Sequence, residues 1–355
     1  MKMKNNMMNK IIKAILLVIL MSACRDDYSL DNLNDSPKLV VYCLPSPQQD
    51  TTFIDIARSI PVQDRKGRET EDGQIKGVKV TYLLNNEKCP VEYAADAGQY
   101  FVVSRHQPGD RVDIDVSAEG MPRTTASTVV PEAVSIALHR IVEIRDYDAY
   151  TYAISDYDQV QASFADPAAT ADYYGLRVRI KYYDGFAEGG IYTGDTDEKW
   201  FVDSYDEYCE VKLRHPELKW KWIITDSTYV YPEINTRSEP LLHPLTDLDE
   251  DFGYEADFYG GLYIFSDEGI NGQEYTLRLN ISTSERKGFM QKYQVMLYRL
   301  TPEYYRYLKS INDLGNNELA KIGFSQITPT YTNVRGGIGI VGGYNRSETQ
   351  WKVRQ

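Results

Sequence analysis

Hydrophobic and polar residues alternate along much of the chain after Lys38. The run Arg111-Val112-Asp113-Ile114-Asp115-Val116-Ser117 alternates strictly, which puts Val and Ile on one face and charge on the other, as in a strand with one buried side. Pro108-Gly109-Asp110 before it is a turn, since Pro presets φ and Gly accommodates the reversal. Similar runs predict further strands at 39–44, 53–59, 78–84, 91–93, 100–103 and 124–130.

From Pro131 onward the pattern predicts strands at 139–145, 160–164, 173–183, 200–205, 220–225, 262–265, 275–282 and 293–300. One helix is expected. Thr301 caps it, Pro302 suits its first turn, Tyr304, Leu308, Ile311 and Leu314 share a face, and Gly315 ends it. Acidic, Gly-rich stretches at 184–197 and 243–257 read as exposed loops. The chain is therefore expected to be all-β (mainly β). Gly77-Val78, Gly98-Gln99-Tyr100 and Pro108-Gly109 with the strands around them resemble immunoglobulin-like and transthyretin-like sandwich modules. The expected organisation is a leader over 1–23, a polar acidic tether over 24–37, a β-sandwich over 38–130, a larger β-rich domain over 131–345 and a tail over 346–355.

Composition agrees with this. Tyr accounts for 29 of 355 residues, and Tyr, Val, Ile and Thr favour strands. The formal net charge is −13. Loss of a leader with four lysines makes the mature chain about −17, which argues against nucleic acid and against electrostatic docking on anionic lipid.

The amino terminus changes the picture most. Lys2, Lys4, Lys10 and Lys13 precede the apolar core Ala14-Ile15-Leu16-Leu17-Val18-Ile19-Leu20, and Met21-Ser22-Ala23-Cys24 follows. A secretory leader has these parts in this order, and the core is too short to span a bilayer. Met21 at −3 disfavours a general signal-peptidase site, and the segment resembles a bacterial lipobox, in which Cys24 becomes the first residue and carries the acyl chains, palmitate among them. Several chains on one residue anchor stably, at about 0.8 kcal/mol per buried methylene. Asp26 and Asp27 behind Cys24 resemble the acidic signal that sends Bacteroidota lipoproteins to the outer face of the outer membrane. The export route permits disulfides. A Cys43–Cys89 bridge is one expectation, and small buried apolar roles for Cys43, Cys89 and Cys209 are the other.

Candidate chemistry is sparse. Gly337-Ile338-Gly339-Ile340-Val341-Gly342 fits G-x-G-x-x-G, but no helix pattern follows and too little chain remains for the acidic partner of a dinucleotide site. These glycines read as a last strand approached closely by backbone or aromatics. Asp247-Leu248-Asp249-Glu250-Asp251 is oxygen-rich but departs from an EF-hand, with Phe252 at the glycine position and Phe258 at the final Glu. His106, His139, His215 and His243 are scattered, and no metal or nucleophile motif is present, so no catalytic residue, cofactor or metal is assigned. Trp220-Lys221-Trp222 puts two indoles on one strand face, either a sugar or protein platform or, as preferred, a core face.

Several motifs together resemble one family. They are the lipobox, Lys38-Leu39-Val40-Val41, Tyr173-Tyr174-Gly175-Leu176-Arg177-Val178, Phe265-Ser266-Asp267-Glu268 with Asn271-Gly272, Tyr304-Tyr305-Arg306-Tyr307-Leu308, and Thr332-Asn333-Val334 before Gly336-Gly337-Ile338-Gly339. They resemble a Bacteroidota outer-membrane lipoprotein family catalogued as a domain of unknown function (DUF4249-like), over nearly the whole mature chain. One departure is Tyr344 after Val341-Gly342-Gly343, where the family more often has Phe. Members are often encoded beside TonB-dependent transporters. The resemblance implies a non-enzymatic accessory or binding subunit of a SusC-like transporter in nutrient capture, anchored at the outer membrane and facing the cell surface, with a glycan or peptide ligand. A surface hydrolase of glycans or peptides and a structural or adhesin subunit are the alternatives.

Overall fold

The structure is a computed structural model that describes residues 36–59, 75–148, 153–192, 197–242, 258–259, 261–282, 288–316 and 330–354. Its first strands are β1 (Leu39–Cys43), β2 (Thr51–Arg58), β3 (Lys79–Leu84), β4 (Glu87–Cys89), β5 (Glu92–Ala94), β6 (Gln99–Val103), β7 (Arg111–Ser117) and β8 (Thr124–Val129). β4, β3, β7 and β8 form one sheet in that order, and β1, β2, β6 and β5 run in sequence across the other. The alternation read along β7 has the expected effect: Val112, Ile114 and Val116 share one core with Leu39, Val41 and Cys43 of β1 and with Ile54, Tyr82 and Val102. Asn85 and Asn86 have φ of 51° and 69°, the left-handed pair that a tight hairpin between β3 and β4 requires.

The next elements are β9 (Ile136–Asp148), β10 (Ala153–Ala165), β11 (Tyr173–Tyr192), β12 (Asp197–Val202), α1 (Tyr205–Arg214), β13 (Lys221–Val230), β14 (Ile234–Asn235), β15 (Phe258–Tyr259), β16 (Leu262–Ser266), β17 (Glu274–Ser282) and β18 (Met290–Leu300). The chain ends with α2 (Pro302–Asn316), β19 (Ile338–Val341), β20 (Tyr344–Glu348) and β21 (Lys352–Val353). A four-stranded sheet, β14-β17-β10-β9, packs on an eight-stranded one. In the larger sheet β11 is the spine, pairing with β12, β13, β16 and β18. Tyr174, Leu176, Val178 and Ile180 of β11 meet Val160, Phe164, Leu277 and Leu279 from the smaller sheet in the main core. The chain is mainly β, as expected.

Four features differ from the sequence expectations or add to them. α1 follows directly on the strand expected over 200–205, in a stretch for which no element was expected. Ser204, with extended φ and ψ, accepts from the Glu207 backbone N–H, Asp206 and Glu207 fill the first turn, and Lys212 and Arg214 fill the last. β11 continues through the stretch expected to be a loop, to Tyr192. Its glycines there permit close approach: a Cβ on Gly189 would lie 2.5 Å from the Trp220 ring, and one on Gly185 2.3 Å from the Ile223 carbonyl oxygen and 2.9 Å from Trp222 Nε1. Residues after 345, expected as a tail, continue β20 and form β21, both paired with β18. β19 returns to the first sandwich and pairs parallel with β1, Val41 opposite Gly339.

α2 bridges the two sandwiches. Thr301 accepts from the Tyr304 backbone N–H and caps the helix as expected. Tyr304 and Leu308 then pack with Ile264 and Leu300 of the large sheet, with Ile340 of β19, and with Tyr42 of β1.

Candidate functional site

Cys24, Asp26, Asp27 and the Asp247–Asp251 run lie outside the described residues. Cys43 is buried on β1, Cys89 is half-buried on β4, Cys209 is exposed on α1, and all three are free thiols. Cys43 and Cys89 border the same core from opposite sheets. Burial pushes the Cys43 thiol far above the ordinary cysteine range, with the Asp55 charge adding to it.

Among the described residues, Asp166, Asp172 and Asp267 come together from the loop after β10, the approach to β11 and the end of β16. All three are buried, and each offers a carboxylate oxygen within 4.8 Å of the others. Such oxygens suit a hard cation. The protein's own donors already engage them. Tyr174 Oη donates to Asp166 at 2.5 Å and the Gly272 N–H at 2.9 Å. Arg299 Nε reaches Asp172 at 3.0 Å, Thr170 donates to the same carboxylate at 3.0 Å, and the Asp172 N–H donates to Asp267 at 2.9 Å. The group therefore locks three chain segments together at one end of the large sheet. An open groove of about 1090 Å³ lies between β7, β8 and the segment 331–335. Of the charged residues in its walls, Arg111 and Asp113 are paired with each other, and Asp115 is paired with Arg123.

A different arrangement lies on the outer face of the large sheet. Alternate residues of β11 point there. Tyr173 stacks on Tyr305 of α2, with ring centroids 4.5 Å apart. Arg177, Arg179, Lys181 and Tyr183 follow, and Ala187 then packs under Tyr208 of α1. The two helices thus cover the ends of the face and leave the middle as a floor between them. Across this floor Arg177 lies over the Tyr231 ring at 3.8 Å, and Arg179 lies 5.1 Å from the Trp351 ring. Lys181 and Lys292 each sit 5.0 Å from the Tyr183 ring. Lys181 and Lys292 are directly opposite each other in the β11–β18 pairing. Glu348 compensates Arg179 at 3.8 Å and Arg346 at 2.9 Å. Among the described residues no carboxylate forms an ion pair with Arg177, Lys181 or Lys292, and Arg177 Nε is buried without a hydrogen-bond acceptor.

This strip carried a signal in the sequence. Leu176-Arg177-Val178-Arg179-Ile180-Lys181 puts three cations at a period of two in a strongly acidic chain, so they share one strand face. The three aspartates carried none, because only the fold brings 166, 172 and 267 together. Trp220 and Trp222 are in neither group. They pack with Tyr205, Tyr208 and Val211 of α1, which is the core-face role preferred for them.

No curated protein matches the chain. The family model described as Domain of unknown function (DUF4249) matches residues 25–350, and the chain belongs to that family.

Proposed function

We propose that this protein is a surface-exposed outer-membrane lipoprotein, anchored through Cys24, that serves as a non-enzymatic binding or accessory subunit of a TonB-dependent, SusC-like transporter in nutrient capture. The observation that carries this reading is the amino-terminal order: a lysine-rich flank, an apolar core too short to span a bilayer, and Cys24 followed by Asp26-Asp27. Membership of the family over residues 25–350 supports it, because the match starts directly behind Cys24. A rigid β scaffold that displays a charged sheet face also suits a capture role, since sites on strands are held in place more firmly than sites on loops.

Metabolic labelling with palmitate and membrane fractionation test the anchor. The native chain takes label and sediments with the outer membrane, and Cys24→Ala does neither. A Cys24→Ala chain that still labels and still sediments with lipid overturns the anchoring. Cross-linking on intact cells, followed by purification in detergent, tests the partner: an outer-membrane transporter is recovered, and repeated recovery of none removes the transporter role.

A further inference from the structure

We infer that the floor between α1 and α2 on the large sheet binds a linear anionic glycan, with sugar carboxylates on Arg177, Lys181 and Lys292 and sugar faces against Tyr229 and Tyr231. This names a ligand class for the capture role proposed above and rests on that reading for its setting. The binding itself is tested apart from anchor and transporter.

The charge arrangement points to an anion. Like charges directly opposite in a sheet destabilise it, yet Lys181 and Lys292 are directly opposite, both lean on Tyr183, and neither is paired with a carboxylate among the described residues. Arg177 is held against Tyr231 with its Nε buried and unmatched. These cations stand on a chain of net charge −13, so their grouping is a local exception to the charge of the whole. An arriving carboxylate would relieve the lysine pair and take the guanidinium in a charge-assisted hydrogen bond.

The surface around them selects the kind of anion. β11 is paired on both sides, by β13 and β16 on one and β18 on the other, so an extended peptide finds no free strand edge to join here. Tyr229 and Tyr231 are 52% and 47% exposed; Arg177 lies over the Tyr231 ring at 3.8 Å and Lys181 4.9 Å from the Tyr229 ring, so a pyranose packs on the ring surface that these cations leave open. Arg177 and Lys181 stand four residues apart on one strand face, about 13 Å, with Arg179 between them compensated by Glu348, so the free cations are set well apart along the strand. Duplex nucleic acid carries about one charge per 1.7 Å, a density that the acidic remainder of this chain opposes.

The test is calorimetric titration of the full chain in detergent with oligogalacturonate. Uncharged gluco-oligosaccharide of equal length, polyglutamate and single-stranded DNA serve as comparisons. Oligogalacturonate binds and weakens as salt is raised, and the other three bind at least tenfold more weakly. Lys181→Gln with Lys292→Gln weakens binding at least tenfold while keeping or raising the melting temperature, because it removes the like-charge contact. Tyr229→Ala with Tyr231→Ala also weakens it. If Arg177→Gln disturbs folding, the lysine pair alone carries the result. No binding by the native chain, equal binding by the lysine variant, or equal binding of polyglutamate or DNA overturns the inference.

Discussion

Gly339 lies directly opposite Val41 in the parallel pairing of β19 with β1, and a Cβ on residue 339 would fall 2.1 Å from the Val41 carbonyl oxygen. Its φ of +113° is also one that L side chains avoid. Gly339→Ala therefore meets both a strained backbone and a collision with main chain that has nowhere to move, and should cost about 3 kcal/mol or more. Gly98 has φ of +68° and open space around it, so Gly98→Ala carries the backbone term alone, about 1–2 kcal/mol. Urea unfolding of both variants separates the two effects. Equal losses would mean that the β1–β19 contact is not close-packed in solution.

The same pair shows what could be read from the sequence. That the glycines of 337–342 serve close backbone approach in a strand followed from the absence of a helix after them, although that strand, β19, is not the last, since β20 and β21 follow it. The partner strand did not, because parallel pairing with residues some three hundred positions away leaves no local mark. Alternation placed β7 and the 173–183 part of β11 well, since a half-buried strand writes its period into the sequence. Gly185, Gly189 and Gly190 obscured the rest of β11: they read as loop residues, whereas Gly189 clears space for Trp220 and Gly185 for the Ile223 carbonyl and Trp222. α1 also had a signal in the sequence. Ser204 and Glu207 stand at the spacing of a capping box, but the helix behind them is mostly polar, so no apolar stripe announced it. At the glycan-binding face, the alternating cations were legible and the direct opposition of Lys181 to Lys292 was not, since register between strands is set by the fold.

Arg299 is the cation that holds the buried aspartate group. Its side chain is 13% exposed and that of Asp172 6%, so the pair is largely out of water. Arg299→Leu leaves a carboxylate buried without its guanidinium and should lower stability by about 3–5 kcal/mol. Adding Asp172→Asn should recover part of that loss, because the uncompensated charge goes with it. Thermal or chemical unfolding reads both. Additive losses would show that the two groups do not depend on each other.

His106 sets a pH dependence in the first sandwich. It is 1% exposed, and its ring nitrogen is 2.6 Å from Tyr82 Oη. Burial lowers its pKa, with the Asp110 charge opposing the shift. The unfolded chain therefore takes up a proton near the ordinary histidine value of about 6.5 while the folded chain stays neutral. Stability is full above that value and falls as pH drops below it, by up to about 1.4 kcal/mol per pH unit until the folded form also protonates. His106→Gln keeps a polar partner for Tyr82 and removes the titration. Denaturant midpoints at pH 7.5, 6.5 and 5.5 should fall less steeply for the variant than for the native chain, and identical slopes would assign the acid sensitivity elsewhere.

The cysteines should differ sharply in reactivity. Cys209 is exposed on α1, whereas Cys43 is 0% exposed in the sandwich core. The thiolate is the reacting form, and burial suppresses it at Cys43 by raising the thiol pKa, with Asp55 acting in the same direction. Cys209 is raised as well, mainly by partial burial, but its sulfur remains reachable. Labelling with a maleimide, read by peptide mass mapping, should modify Cys209 within minutes. Cys43 should label at least about a thousandfold more slowly, at the rate set by global opening. Full labelling of Cys43 and Cys89 after unfolding without reductant further requires that both are free thiols. If Cys43 instead stays unlabelled in the unfolded chain and is released by reductant, a Cys43–Cys89 bridge forms across the sandwich. If Cys43 labels as fast as Cys209 in the native state, the core around β1 opens far more readily than its packing implies.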